Sequence, residues 1–205
     1  MAGLFAGLVA GWSVAGWAQL HGASIGGDLE GRVSGVFWLG LCCSSLVRVP
    51  YREVTNLATV VDWLGELGAR TVLLDIEPLV AVWDTGEAEL KRGVDEAVAL
   101  LAEVPSLESV GFATNSLRRL SGAIAGDAFF VTAARKPLLT RPYRHLPHPG
   151  VVVGDQLATD GVLAWRLGFA FAYVRHPETR HPWGPAVLRQ LSRPLRRLLF
   201  QPPAT

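Results

Sequence analysis

The chain has 205 residues, of which 50% are hydrophobic and 18% charged, so it is long enough for one domain with a sizeable core. This composition excludes a multispanning membrane protein. The formal net charge is only +1, but residues 1–110 carry six Lys and Arg against fourteen Asp and Glu, whereas residues 111–205 carry thirteen against four. This asymmetry indicates either one face that meets anionic groups or two halves that neutralise each other.

Residues 1–48 form an apolar N-terminal extension, and the first 27 of them contain no Asp, Glu, Lys or Arg. Repeated glycines lower the helix propensity of a membrane span, and a secretory signal would need a basic start. We therefore expect this extension to contact a membrane or to be poorly ordered. Cys42 and Cys43 are neighbours without nearby ligand partners, which fits a reducing, cytoplasmic location.

Residues 49–205 alternate between strand and helix patterns. Apolar residues at helical spacing predict helices over 57–67 and 90–101, further helices are predicted over 116–126 and 158–168, and a basic amphipathic stretch closes the chain. Strands are predicted over 70–75, 109–115, 127–133, 151–155 and 169–174. This alternation predicts an α/β fold, a Rossmann-like three-layer αβα sandwich with a mostly parallel sheet.

Polar residues follow four of the predicted strands, at the edge where parallel α/β sheets bind ligands. Taken singly, each is an ordinary cap, a surface lysine or a helix-terminal acid. Together they favour a site, because converging buried carboxylates repel unless a cation lies between them. Hard oxygen ligands favour Mg²⁺. The residues concerned are Asp75 with Glu77, Thr114 with Asn115, Lys136, and Asp155 with Asp160.

These four segments resemble the motifs of the haloacid-dehalogenase-like (HAD) superfamily. The segments are LLDIEPLVAVWD, ATN, KP and VVVGDQLATD, the last being the most specific. The Gly-Asp-Gln-Leu-x-Thr-Asp pattern and the Lys-Pro pair are most similar to the motifs of the phosphatidylglycerophosphate phosphatases. Those enzymes belong to subclass III of the superfamily and lack a cap domain. The resemblance covers about residues 50–200 and implies a phosphatase domain over 49–205. No cap domain fits between the motifs.

The resemblance implies a role for each residue of the motifs. Asp75 would be the nucleophile that forms an aspartyl-phosphate, and Glu77 would be the general acid and base. The Mg²⁺ ligands would be Asp75, the main-chain carbonyl of Glu77, and Asp155, with Asp160 in support. Substrate phosphate would be bound by Thr114, Asn115 and Lys136.

Two positions depart from the family pattern. Glu77 stands where the family has Asp, and its extra methylene could displace the carboxyl by about 1 Å, enough for a loss of about a hundredfold in rate. Leu79 replaces a Thr that braces the same loop. The alternative is therefore a catalytically impaired relative that binds phosphate or metal and acts through partners.

An uncapped site favours a large or membrane-held substrate, and by resemblance phosphatidylglycerophosphate. The C-terminal stretch GPAVLRQLSRPLRRLLF either lies peripherally on the anionic inner face of a membrane or covers the sheet. Nucleic acid is not the expected partner, because the chain lacks exposed aromatic platforms. The sequence indicates no oligomeric state.

Overall fold

The computed structural model describes residues 47–82, 85–120, 122–124, 126–175 and 183–201, which fall within a compact unit spanning Val47–Thr205. The expected extension up to residue 46 lies outside the described residues. The strands are β1 Tyr51–Val54, β2 Thr71–Asp75, β3 Ser109–Ala113, β4 Phe129–Val131, β5 Gly150–Gly154 and β6 Ala170–Val174. The α-helices are α1 Leu57–Leu67, α2 Glu87–Leu101, α3 Val162–Leu167 and α4 Trp183–Leu199.

The six strands form one sheet in the order β1-β6-β5-β2-β3-β4, and all of the pairings are parallel. The α/β fold and its five predicted strands are confirmed, each within one or two residues at its ends. Strand β1 was not predicted from the sequence. Arg52 and Glu53 interrupt its apolar pattern, which an edge strand tolerates because it pairs on one side only.

The core lies on both faces of the sheet, because side chains alternate along each strand. Val72 and Leu74 of β2 belong to the hydrophobic cluster that includes α1 and α2. Leu73, between them, belongs to the opposite cluster, which includes Leu163 of α3 and Leu199 of α4. The sheet is therefore the middle layer of three.

The helix predicted over 116–126 is wrong: the described residues of this segment contain no helix. The main chain of Ser116 is tied to the loop after β4 instead, since the Ala133 N–H donates to its carbonyl at 2.9 Å. Gly122 and Gly126 adopt positive φ angles of 82° and 65°, which a continuous helix does not contain.

The C-terminal helix α4 covers the sheet, the second of the two interpretations considered for it. Leu195 and Leu199 are buried, and the Arg196 guanidinium lies 2.8 Å from Glu53 and over the ring of Tyr51. Pro194 lies inside the helix. Among the described residues, no helix combines the length and the apolarity needed to cross a membrane.

Candidate functional site

Three buried carboxylates meet at the carboxyl edge of the sheet. Asp75 ends β2, while Asp155 follows β5 and Asp160 lies five residues farther on. One carboxylate oxygen from each lies within 4.8 Å of the others. This geometry can hold one metal ion, and an all-oxygen donor set of this charge suits a hard divalent cation.

The segment after β5 is shaped to bring Asp160 back over the end of its own strand. Residues Leu157–Gly161 form a π-helical turn, in which the N–H groups of Asp160 and Gly161 both donate to the Gln156 carbonyl. A Cβ on Gly154 would lie 2.4 Å from Asp160 Oδ2. Glycine at the end of β5 is therefore required for Asp160 to occupy this position, and such turns often mark functional sites.

Lys136 is the cation of the carboxylate cluster. Its Nζ lies 2.7 Å from Asp75 Oδ1 and 2.8 Å from Asp160 Oδ1, and it donates to the Ala113 carbonyl at 2.8 Å. The three protons of the ammonium group thus face three oxygens. Because the cluster contains three carboxylates and Lys136 contacts two of them, Asp75 and Asp160, the cluster keeps negative charge for a further cation.

The charges at this site shift the pKa values of its members. Burial raises the pKa of Asp75 well above its usual range, and the Asp160 carboxylate raises it further, while Lys136 opposes both effects. Burial by itself would lower the pKa of Lys136, but the carboxylates of Asp160 and Asp75 raise it above its ordinary value. Lys136 is therefore charged at neutral pH, and the ionised form of Asp75 is costly without a second cation.

Asn115 holds the main chain of Lys136 in place. Its Oδ1 accepts from the Lys136 N–H at 2.7 Å, and its Nδ2 donates to the Lys136 carbonyl at 3.1 Å. This pair of bonds joins the loop after β3 to the loop after β4. Asn115, expected to contact substrate, thus positions the lysine through its side chain.

Glu77 lies apart from the carboxylate cluster in a network of its own. Its carboxylate is 2% exposed and accepts from Thr114 Oγ1 at 2.7 Å and Ser116 Oγ at 3.2 Å. Arg118 Nη1 lies 3.4 Å from Glu77 Oε1 and donates to the Val82 carbonyl at 3.1 Å. The longer side chain of glutamate therefore reaches donors on the loop after β3, and the Thr114 hydroxyl proton is directed at Glu77.

The predicted site residues thus divide into two groups. Asp75, Lys136, Asp155 and Asp160 come together directly, whereas Glu77 and Thr114 form the neighbouring network. The carboxylate of Glu77 is not one of the three that converge; its predicted metal contact was through the main-chain carbonyl.

Three further residues near the site were not predicted from the sequence: Ser116, Arg118 and Tyr143. Ser116 and Arg118 lie in the segment predicted as a helix. The Asn-Ser pair at the end of the preceding strand is typical of a loop and could have indicated one here. Tyr143 lies in a 3-10 turn, Arg141–Tyr143, in a Pro-rich loop without a motif.

Comparison with protein-family models, with curated proteins and with solved structures gives no match.

Proposed function

We propose that this protein is a Mg²⁺-dependent phosphomonoester hydrolase of the HAD type that works through an aspartyl-phosphate. The observation that carries the proposal is the buried cluster of Asp75, Asp155 and Asp160, in which Lys136 contacts Asp75 and Asp160. Structural ion pairs rarely combine three carboxylates with one cation at a ligand-binding sheet edge, because the excess charge destabilises the fold.

The proposed reaction proceeds in two steps. The Asp75 carboxylate attacks phosphorus, the bond from phosphorus to the leaving oxygen breaks, and that oxygen takes a proton from Glu77. Water then attacks the phosphorus, the bond to Asp75 breaks, and Glu77 recovers a proton from the water. Lys136 offsets charge on Asp75 and on the phosphoryl oxygens. Asp75 and Asp155, with Asp160 in support, would hold Mg²⁺, which would supply electrostatic stabilisation of the phosphoryl group.

The test is phosphate release by the full chain with and without Mg²⁺. The substrates are phosphatidylglycerophosphate, the lipid phosphate that the resemblance implies, and small phosphomonoesters. We expect Mg²⁺-dependent release that EDTA abolishes, and faster release from the lipid. Absence of release from every substrate would sink the enzymatic proposal.

The second candidate is a catalytically impaired protein that binds metal or phosphate and acts through partners. The contacts of Glu77 favour it, because a carboxylate held by Thr114, Ser116 and Arg118 is directed toward the loop after β3. Leu79 favours it as well, since this side chain packs against the hydrophobic core instead of bracing the loop with a hydroxyl.

Restoring the family residues with Glu77→Asp and Leu79→Thr separates the two candidates. We expect a gain of about tenfold or more in turnover, because the shorter carboxylate would no longer be held by Ser116 and Arg118. Such a gain would indicate a degraded enzyme site. Leu79→Thr alone is the control for lost core packing. Unchanged turnover in the double variant, with its melting temperature preserved, would contradict a degraded proton-transfer site.

A lipid-linked substrate on an anionic cytoplasmic membrane face forms part of the proposal. The rim of the site, which consists of the loops after β2, β3 and β4, supports it. Of the six exposed large hydrophobic residues among those described, four lie on the loops after β2, β3 and β4: Val82, Leu117, Leu138 and Leu139. Arg119, Arg135 and Arg141 are exposed on the latter two loops. Residues 114–126 and 132–149 contain no acid. Aliphatic side chains among arginines suit an anionic bilayer surface.

Vesicle binding tests this rim. We expect Arg119→Gln, Arg135→Gln and Arg141→Gln together to weaken binding to phosphatidylglycerol vesicles by about a hundredfold, at about 1 kcal/mol per arginine. The matched control is Arg193→Gln with Arg197→Gln, which removes exposed arginines from α4. A larger loss in the control, or equal binding to neutral phosphatidylcholine vesicles, would refute the assignment.

A further inference from the structure

Tyr143 lies beside the carboxylate cluster without being part of it. The residue is 1% exposed and belongs to the hydrophobic cluster that also contains Ala113 and Leu157. Ala113 provides the carbonyl that accepts from Lys136, and Leu157 begins the turn that carries Asp160. Tyr143 thus lies on the same face of the sheet as these two residues, in the loop that joins β4 to β5.

The Tyr143 hydroxyl has no hydrogen-bond partner among the described residues. Leaving a buried hydroxyl unsatisfied costs about 1–3 kcal/mol, so such groups are uncommon in native proteins. Burial raises the pKa of Tyr143 to about 12, with Lys136 opposing and the carboxylates of Asp160 and Asp75 adding to the rise. These charges lie within electrostatic range of the hydroxyl, which stays protonated and able to donate at neutral pH.

We propose that Tyr143 is a positioning residue whose hydroxyl donates a hydrogen bond to an oxygen of the ligand bound at the carboxylate cluster. That oxygen belongs to a water carried by the metal or to a phosphoryl group, since both are acceptors that the ligand brings into the site. The inference rests on the proposed function in that it requires the cluster to bind a ligand. It gives an acceptor to a hydroxyl that has no partner within the described part of the chain.

Tyr143→Phe tests the proposal with two readouts of opposite sign. In the metal-free protein the substitution removes an unsatisfied hydroxyl, so we expect the melting temperature to rise by about 2–4 °C. In the presence of ligand it removes a hydrogen bond, so we expect about tenfold weaker binding by calorimetry. Mg²⁺ alone and Mg²⁺ with inorganic phosphate are titrated separately. Weakening in the first titration assigns the bond to water on the metal, and weakening only with phosphate assigns it to a phosphoryl oxygen.

The matched control is Tyr51→Phe on β1. The Tyr51 hydroxyl donates to Glu53 at 3.3 Å, and Tyr51 begins its strand, so it lies at the opposite edge of the sheet. Tyr51→Phe should leave both titrations unchanged. Equal ligand affinity of Tyr143→Phe and wild type, or a lower melting temperature of the metal-free variant, would overturn the role of Tyr143 alone. Failure of the wild type to bind Mg²⁺ would overturn the proposed function with it.

Discussion

Asp75→Asn is expected to reduce Mg²⁺-dependent phosphate release by more than about a thousandfold, because an amide oxygen cannot replace the carboxylate as a nucleophile. The substitution is close to isosteric, and the amide oxygen can still accept from the Ile76 N–H, which lies 2.9 Å from Asp75 Oδ1. Removing one of three converging carboxylates also lowers their mutual repulsion. We therefore expect a folded but inactive variant, measured by phosphate release and by thermal unfolding in parallel.

Asp95→Asn is the control for this substitution. Asp95 pairs with Lys91 at the surface of α2, away from the strand ends, and both side chains are partly exposed. Loss of the Asp95 carboxylate should leave turnover within twofold of wild type. Retention of turnover by Asp75→Asn would place the nucleophile elsewhere, whereas loss of turnover together with loss of the folded state would require Asp75→Glu as a second variant.

The positions of the catalytic candidates could be predicted because strand ends follow from local pattern. An uninterrupted apolar run that ends on Asp75 or Asp155 identifies a buried strand, and parallel strands bring their carboxyl ends to one edge. The convergence of Asp75 and Asp155 needs only these two facts. To reach the same place, Asp160 additionally needs the π-helical turn and a glycine at position 154, because the Asp160 side chain approaches the main chain closely there.

The contacts of Glu77 could not be predicted, because they depend on the conformation of a loop that has no periodic pattern. Residues 116–126 have the composition of a short helix, but contacts between loops override this local preference. Arg118 joins Glu77 to the main chain of Val82, across two connections that are far apart in sequence. The state of the Tyr143 hydroxyl could not be predicted either, because its lack of a partner among the described residues depends on how the loop between β4 and β5 packs.

Lys136→Met is expected to lower the free energy of unfolding of the metal-free protein by about 3–5 kcal/mol, because it leaves buried carboxylates without their cation. Lys136 Nζ contacts Asp75 and Asp160, and its side chain is 3% exposed, so water cannot replace it. The measurement is denaturant unfolding in EDTA and again with Mg²⁺, which should restore part of the loss. Lys91→Met removes an exposed pair and should cost about 0.5 kcal/mol or less.

The pH dependence of the stability lost in Lys136→Met tests whether that loss is electrostatic. The raised pKa of Lys136 means that its contribution to stability is fully present below its unfolded pKa of about 10.4 and is lost only as the pH rises through the higher folded value. The raised pKa of Asp75 means that its ionisation destabilises the fold as the pH rises above about 3.9. Lys136→Met should therefore cost less at pH 5 than at pH 7.5, because a protonated Asp75 carboxyl needs no cation. An equal loss at both pH values would indicate that Lys136 stabilises the fold by packing and not by charge.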